Sequence, residues 1–294
     1  MRFYHSFWSK PMYTLWHDSK PTINSLYLTA LSIHYVKKHG HEIVLHTDRD
    51  GEQVFDVLPY DNIYTTLEIS QLRNQTSEIF WAAGKIYAHE VEPLGAISID
   101  TDVLLKKANV FEVIENSSKN YDLLVQDLEL DEVGQVYNHP RQAVREYVVH
   151  RYAPKEMSFG ANKAYNCGVI GLFNKDLKDR YISAYKDITQ RLSRSKTLYE
   201  NSVQNKACLD LFLEQMWLWA LTNKLGYKVK TLLNDRCTLG LNLLSNEQLG
   251  YIHYLSVYKN LFLGSIKQEL TEQSPKLFEV VEQKIKKFME DNKK

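Results

Sequence analysis

Three cysteines occur in 294 residues, Cys167, Cys208 and Cys237, widely spaced and without a Cys-x-x-Cys pair. That excludes a disulfide framework and a cysteine-built zinc site, and it fits a reducing cytoplasm. Net charge is missing as well. The 36 Lys and Arg offset the 36 Asp and Glu, so no bulk positive field exists to hold a polyanion, and nucleic-acid binding is not expected. No run of about 18 apolar residues occurs, so no membrane-spanning helix is expected. Met1-Arg2-Phe3-Tyr4-His5 opens the chain without an apolar signal region. Secretion is therefore not expected, and the sequons at Asn74 and Asn116 read as coincidence. No repeat, low-complexity tract or Pro/Gly/Ser linker divides the sequence. What is present is a composition able to form a core, 44% hydrophobic and 24% charged, with 19 Tyr and 5 Trp. Most of these aromatics belong to the core or its boundary.

Strand and helix signals alternate through the first third. Arg2 to Trp8 reads as a strand, Thr22 to His39 as a helix stopped by Gly40, and Glu42 to Thr47 as a second strand closed by a turn at Asp48-Arg49-Asp50-Gly51. A helix over Ile79 to Glu90 and a short buried strand over Ala96 to Ile99 follow. That rhythm is the signature of a parallel sheet with helices on its faces. Further strands are expected at Tyr121 to Gln126, Lys163 to Phe173 and Tyr227 to Leu233, and helices at Asp176 to Leu192 and Asn205 to Leu225. Ser274-Pro275 is an N-cap and first-turn pair, and Leu277, Val281, Ile285 and Phe288 stripe the helix after it.

Asp100-Thr101-Asp102 stands directly after the buried strand. Ligands of open α/β sheets collect at the carboxyl ends of strands. Two hard oxygen donors two residues apart can share one divalent cation, and that cation can neutralise a diphosphate. A second Asp-x-Asp, Asp48-Arg49-Asp50, reads as a solvated turn. The difference is the apolar strand before Asp100, because a carboxylate at the end of a buried strand is costly unless paired or bound to a cation. Tyr165-Asn166-Cys167-Gly168-Val169 offers Asn and small residues for close backbone approach, and His253 and Lys259 place an imidazole and an ammonium near the C-terminus. Each has an ordinary alternative: His253 as a satisfied histidine between tyrosines, Asn166 as the end of a ladder, Glu214 as a solvated helix residue, Lys85 as a snorkelling one. The Met216-Trp217-Trp219 cluster reads as core.

Ile99-Asp100-Thr101-Asp102, then Tyr165-Asn166-x-Gly168-Val169, then His253-x-x-Ser256-x-x-Lys259, resembles the motif order of GT-A-fold glycosyltransferases. The likeness is to the retaining, glycogenin-like and lipopolysaccharide galactosyltransferase-like group. Ser6-Phe7-Trp8-Ser9 and Trp81-Ala82-Ala83-Gly84-Lys85 also look like an uncharacterised bacterial branch of sugar transferases. The resemblance implies a Rossmann-like mixed α/β sheet flanked by helices over residues 1–264. Residues 265–294 would be a C-terminal amphipathic helix packed on it or extending from it.

The same resemblance implies a hexosyltransferase-like activity on a UDP sugar, with Mn2+ favoured over Mg2+, and a glycan or lipid-linked glycan as acceptor. Asp100, Asp102 and His253 would be metal ligands. Lys259 would hold the diphosphate, and Lys85 would contact the donor. Ser6, Phe7, Trp8, Thr47, Asp48, Asp100 and Thr101 would form the nucleotide pocket, Phe7 or Trp8 stacking on the base. Glu214 and Asn166 would face the sugar, with Glu214 the base if the reaction inverts. The basic C-terminal helix is a place for peripheral contact with the inner face of a membrane. The alternative is a catalytically silent GT-A-like protein that binds nucleotide sugar or glycan. A nucleotidyltransferase is disfavoured because no Gly-rich loop follows the first strand.

Overall fold

The computed structural model describes residues 1–9, 25–68, 80, 82–130, 163–193, 212–233, 243–254 and 258–291. Cys208, Cys237, Trp81, Ser256, the sequon at Asn74 and the front of the helix expected from Asn205 lie outside them. Its first half is built from β1 (Arg2–Ser6), α1 (Ser25–Lys38), β2 (Glu42–His46), α2 (Arg49–Phe55), β3 (Asn62–Tyr64), α3 (Ala83–Val91), β4 (Ile97–Ile99), β5 (Val103–Leu105), α4 (Ala108–Asn120) and β6 (Leu123–Leu130). The second half adds β7 (Lys163–Leu172), α5 (Lys175–Ser193), a π turn at Phe212–Met216, α6 (Trp217–Leu225), β8 (Val229–Thr231), β9 (Leu243–Asn246), β10 (Tyr251–Tyr254), α7 (Tyr258–Leu261), α8 (Leu263–Gln273) and α9 (Pro275–Asp291).

Seven strands form a mixed sheet in the order β3-β2-β1-β4-β7-β6-β8. β1, β2, β3 and β4 run parallel, β7 runs antiparallel between β4 and β6, and β8 is parallel to β6. The chain moves outward from β1 to β3 and then returns to the other side of β1 as β4. Such a reversal opens a crevice at the carboxyl ends of the two central strands, where β4 delivers Asp100. A second, antiparallel sheet, β5-β10-β9, stands beside that crevice.

α1 is apolar on nearly every face, with ten of its fourteen residues buried. Such a helix needs cover on both sides, and α8 and α9 supply the outer cover. Leu270, Val281 and Ile285 join the same core as Leu31 and Val36, Tyr27 stands 6.0 Å from Phe278, and the Tyr27 hydroxyl donates to Glu282 at 2.5 Å. The apolar stripe of the C-terminal helix is thus spent on α1. No helix among the described residues is long and apolar enough to cross a membrane.

The turn expected at Asp48 is instead a helix start. Asp48 adopts extended backbone and accepts from the Gly51 N–H at 2.9 Å, capping α2, and Phe55 at the end of α2 packs edge-on against Phe7, 4.8 Å between ring centroids.

Polar groups buried in this half of the sheet make the fold sensitive to acid. His5 sits between Tyr60 (2.7 Å) and Ser32 (3.2 Å), and burial pushes its pKa down to about 3. Burial opposes the charge of Glu92, but His46 and Arg2 outweigh it and bring its pKa to about 2. A neutral buried imidazole stabilises fully above the unfolded-state value near 6.5, and that contribution fades as pH falls toward 3. Unfolding free energy is therefore expected to drop from pH 6.5 downward, by up to about 1.4 kcal/mol per pH unit for His5 alone. Glu92 adds to the loss below pH 4.5. Urea titrations between pH 7 and 4 measure this slope. His5→Asn should flatten it by about one proton, and an unchanged slope would contradict the assignment.

Candidate metal and diphosphate site

The site is built by a tight reversal. Ile97–Ile99 is fully buried, and the chain leaves the sheet at Asp100, whose N–H donates to the Gly168 carbonyl at 2.9 Å. The Val103 N–H returns to the Asp100 carbonyl at 3.0 Å and opens β5. Asp100 and Asp102 therefore flank one turn. β10 pairs antiparallel with β5 so that His253 lies opposite Val103, and the Tyr254 N–H donates to the Asp102 carbonyl at 3.0 Å. This register carries His253 to the carboxylates from far along the chain. One ligand atom each from Asp100, Asp102 and His253 lie within 4.8 Å of one another.

Two ammonium groups close on the cluster. Lys259 Nζ lies 2.6 Å from Asp102 Oδ2, its side chain 32% exposed. Lys85, on the first turn of α3 and 9% exposed, lies 2.6 Å from Asp100 Oδ1 and 2.8 Å from Glu214 Oε1, and donates to the Cys167 carbonyl at 3.1 Å. Glu214 is 0% exposed. Among the described residues it finds no hydrogen-bond donor besides that ammonium. Burial raises the Glu214 pKa, with Lys85 pulling the other way and Asp100 adding to the rise. For Asp102 burial loses: Lys259 and His253 hold its carboxyl far below the ordinary range. The same attractions overcome burial at Lys259 and Lys85 and raise both above the ordinary lysine value.

The donor set fits a divalent cation. Three carboxylates against two ammonium groups leave an excess of negative charge. His253 Nδ1 is anchored at 2.7 Å on Gln126 Oε1, while Nε2 faces Asp102 Oδ1 at 3.3 Å. An imidazole held through one nitrogen leaves the other beside the carboxylates, where it could complete a ligand set. Two carboxylates with one imidazole make a mixed oxygen and nitrogen donor set.

The structure brings together Asp100, Asp102, His253, Lys259, Lys85 and Glu214. Asn166 stands beside them on β7: its side chain accepts from the Gly168 N–H at 3.0 Å and donates to Glu129 at 2.7 Å. Thr101 is half-buried in the turn. Ser6 and Thr47 sit at the ends of β1 and β2, where Thr47 Oγ1 is buried with no hydrogen-bond partner among the described residues. Of the two aromatics expected at the base, Trp8 is buried and Phe7 is half-buried. Trp8 is in the core with Leu67, Phe80 and Ala83, and Phe7 rests on Phe55. Asp48 is spent on Ser9 and Gly51.

The sequence marks neither Gln126, at the end of an expected strand, nor Gly168, beyond close backbone approach, as a site residue. A Cβ on Gly168 would stand 2.3 Å from Gln126 Oε1 and 2.6 Å from His253 Cε1. Gly168→Ala is expected to displace the imidazole and cost about 1–3 kcal/mol through overpacking. Thermal unfolding measures the cost, and wild-type stability would contradict the close approach.

The profile of a family of unknown function, DUF6734, matches residues 1–284. No curated protein matches the chain in sequence. Among solved structures the chain is similar to mouse xyloside xylosyltransferase 1 in its apo form, at 12% identity, covering 78% of this chain and 84% of that one, with a TM-score of 0.36. It is also similar to the galactosyltransferase LgtC in complex with donor and acceptor sugar analogues, at 11% identity, covering 93% and 100%, with a TM-score of 0.42. At that level of likeness the activity has to be argued from the site.

Proposed function

The chain belongs to the DUF6734 family of unknown function, and from the cluster at the tip of β4 we propose that it is a metal-dependent glycosyltransferase using a nucleotide sugar. The expected donor is a UDP sugar and the acceptor a glycan hydroxyl, in keeping with the resemblance of its motifs to GT-A enzymes. The observation that carries the proposal is the convergence of Asp100, Asp102 and His253 at the switch point of an α/β sheet.

Asp100, Asp102 and His253 would hold Mn2+, or Mg2+ in its place. The bound cation supplies positive charge where the departing diphosphate becomes negative. Lys259, half-exposed and charged, adds a second positive point on the same side and can turn from Asp102 to a phosphate oxygen. Lys85 and Glu214 act as a unit: the sealed carboxylate fixes the ammonium, which would contact the donor. With no exposure to solvent, Glu214 serves in this arrangement to hold Lys85 rather than to exchange protons with water. Asn166 is fixed by Glu129 and the Gly168 N–H, two residues along β7 from the glycine that the imidazole approaches.

A second reading, a silent binding protein, draws on the same ion pairs, because both aspartates already hold an ammonium at 2.6 Å. Turnover separates the two. A thermal-shift panel of nucleoside diphosphates with and without Mn2+ is expected to show a uridine-selective, metal-dependent rise. Saturation at about 100 times the dissociation constant stabilises by about 2.7 kcal/mol. UDP sugar incubated with Mn2+ and enzyme should slowly release UDP. Binding with unchanged donor would favour the silent protein, and no response to any diphosphate would refute the transferase.

A further inference from the structure

Among the described residues, the fully buried Gln126 side chain reaches the cluster from outside the ion pairs. Gln126 on β6 is 0% exposed. Its Oε1 lies 2.7 Å from His253 Nδ1 and accepts from the Tyr251 hydroxyl at 2.5 Å. Tyr251 and His253 are alternate residues of β10, so both reach the same carboxamide from one face of the strand. Gly168 gives them room, because any Cβ there would strike both Gln126 and His253.

We infer that Gln126 is a positioning residue for the cation site: its carboxamide oxygen takes the Nδ1 proton of His253 and so aims the bare Nε2 at Asp102. This role rests on the cation reading above. The ring has its closer partner on the Gln126 side. An N–H donating to a carboxylate normally closes to about 2.7–2.9 Å. Here the short contact, 2.7 Å, is on the Gln126 side, and the Asp102 side is open at 3.3 Å. A cation seated against both could take Nε2 and Asp102 Oδ1 together as ligands. His253 is 2% exposed, so water cannot replace the carboxamide. Without Gln126 the imidazole gains most by moving its proton to Nε2 and donating to Asp102, which removes the lone pair a metal needs.

Imidazole 15N spectra of metal-free protein test the hydrogen bond directly. In the wild type, His253 Nε2 is expected to give a bare, pyridine-type signal, and in Gln126→Leu a protonated, pyrrole-type one. Mn2+ affinity, followed by the loss of the free-ion paramagnetic resonance signal, should fall about 10–100-fold in Gln126→Leu. Gln126→Glu can only accept from Nδ1, so it should stay within about threefold of wild type or bind more tightly. A pyrrole-type Nε2 in the wild type overturns the inference, and so does unchanged Mn2+ affinity in folded Gln126→Leu. The spectrum needs no metal and judges the hydrogen bond by itself. A wild type that binds no Mn2+ would overturn the cation reading, and this role with it.

Discussion

Lys85→Met is expected to destabilise the fold by about 3–5 kcal/mol, the cost of stripping the partner from a buried charge. Glu214 is 0% exposed and has that one ammonium within reach at 2.8 Å. Asp100 escapes the worst of the loss, because 32% of its side chain remains exposed. The remaining carboxylate must take a proton or unfold its surroundings, and a raised pKa already leans toward the first. Lys85→Met/Glu214→Leu should recover most of the stability, since apolar replacement of a whole buried pair is often neutral or stabilising. It should not recover activity. Urea titrations of the single and double variants make the comparison. Equal destabilisation by Lys85→Met alone and by the pair would show that packing of the lysine stem, and not charge, is what α3 contributes.

Asp102→Asn should remove the metal site and also cost stability, because Lys259 and His253 lose the charge with which they pair. Asp102 is the residue on which Lys259, at 2.6 Å, and His253, at 3.3 Å, both converge. The substitution keeps the shape and deletes the charge. Altering a residue behind a ligand typically costs about 10–100-fold in metal affinity, so losing the ligand itself should cost at least about 100-fold. UDP-sugar turnover should fall by about a thousandfold, the upper end of losing one group that stabilises developing negative charge. Asp50→Asn is the control. Asp50 belongs to the other Asp-x-Asp, exposed in the first turn of α2, and its loss should cost only a few tenths of a kcal/mol of helix stability. Identical losses of Mn2+ affinity in the two variants would contradict the distinction drawn between the motifs.

That distinction was legible in the sequence because burial was. Ala96-Ile97-Ser98-Ile99 is too apolar for a surface segment, so the aspartates after it had to leave a buried strand. The main strands and α1 were legible for the same reason. The approach of His253 was not, except through the resemblance of the motifs. β5 and β10 are three and four residues long, too short to show a period, and their pairing is a long-range event that no local pattern encodes. Glu214 admitted a solvated reading because helical spacing does not reveal the π turn at Phe212–Met216, in which every residue is buried. Phe7 and Trp8 invited a stacking role at a strand end, but aromatic residues there can face either way. Here the packing of α2 and α3 draws both inward. Gln126 carried no signal in the sequence, since its importance lies in a partner on another sheet.

The most direct test is a paramagnetic resonance titration of Mn2+ with UDP against the wild type and His253→Ala. The wild type should bind one Mn2+ per chain with UDP tightening it, and His253→Ala should weaken the metal at least about tenfold. A wild type that leaves Mn2+ free at millimolar UDP, or a His253→Ala that binds it equally well, would mean that these three side chains do not form a cation site.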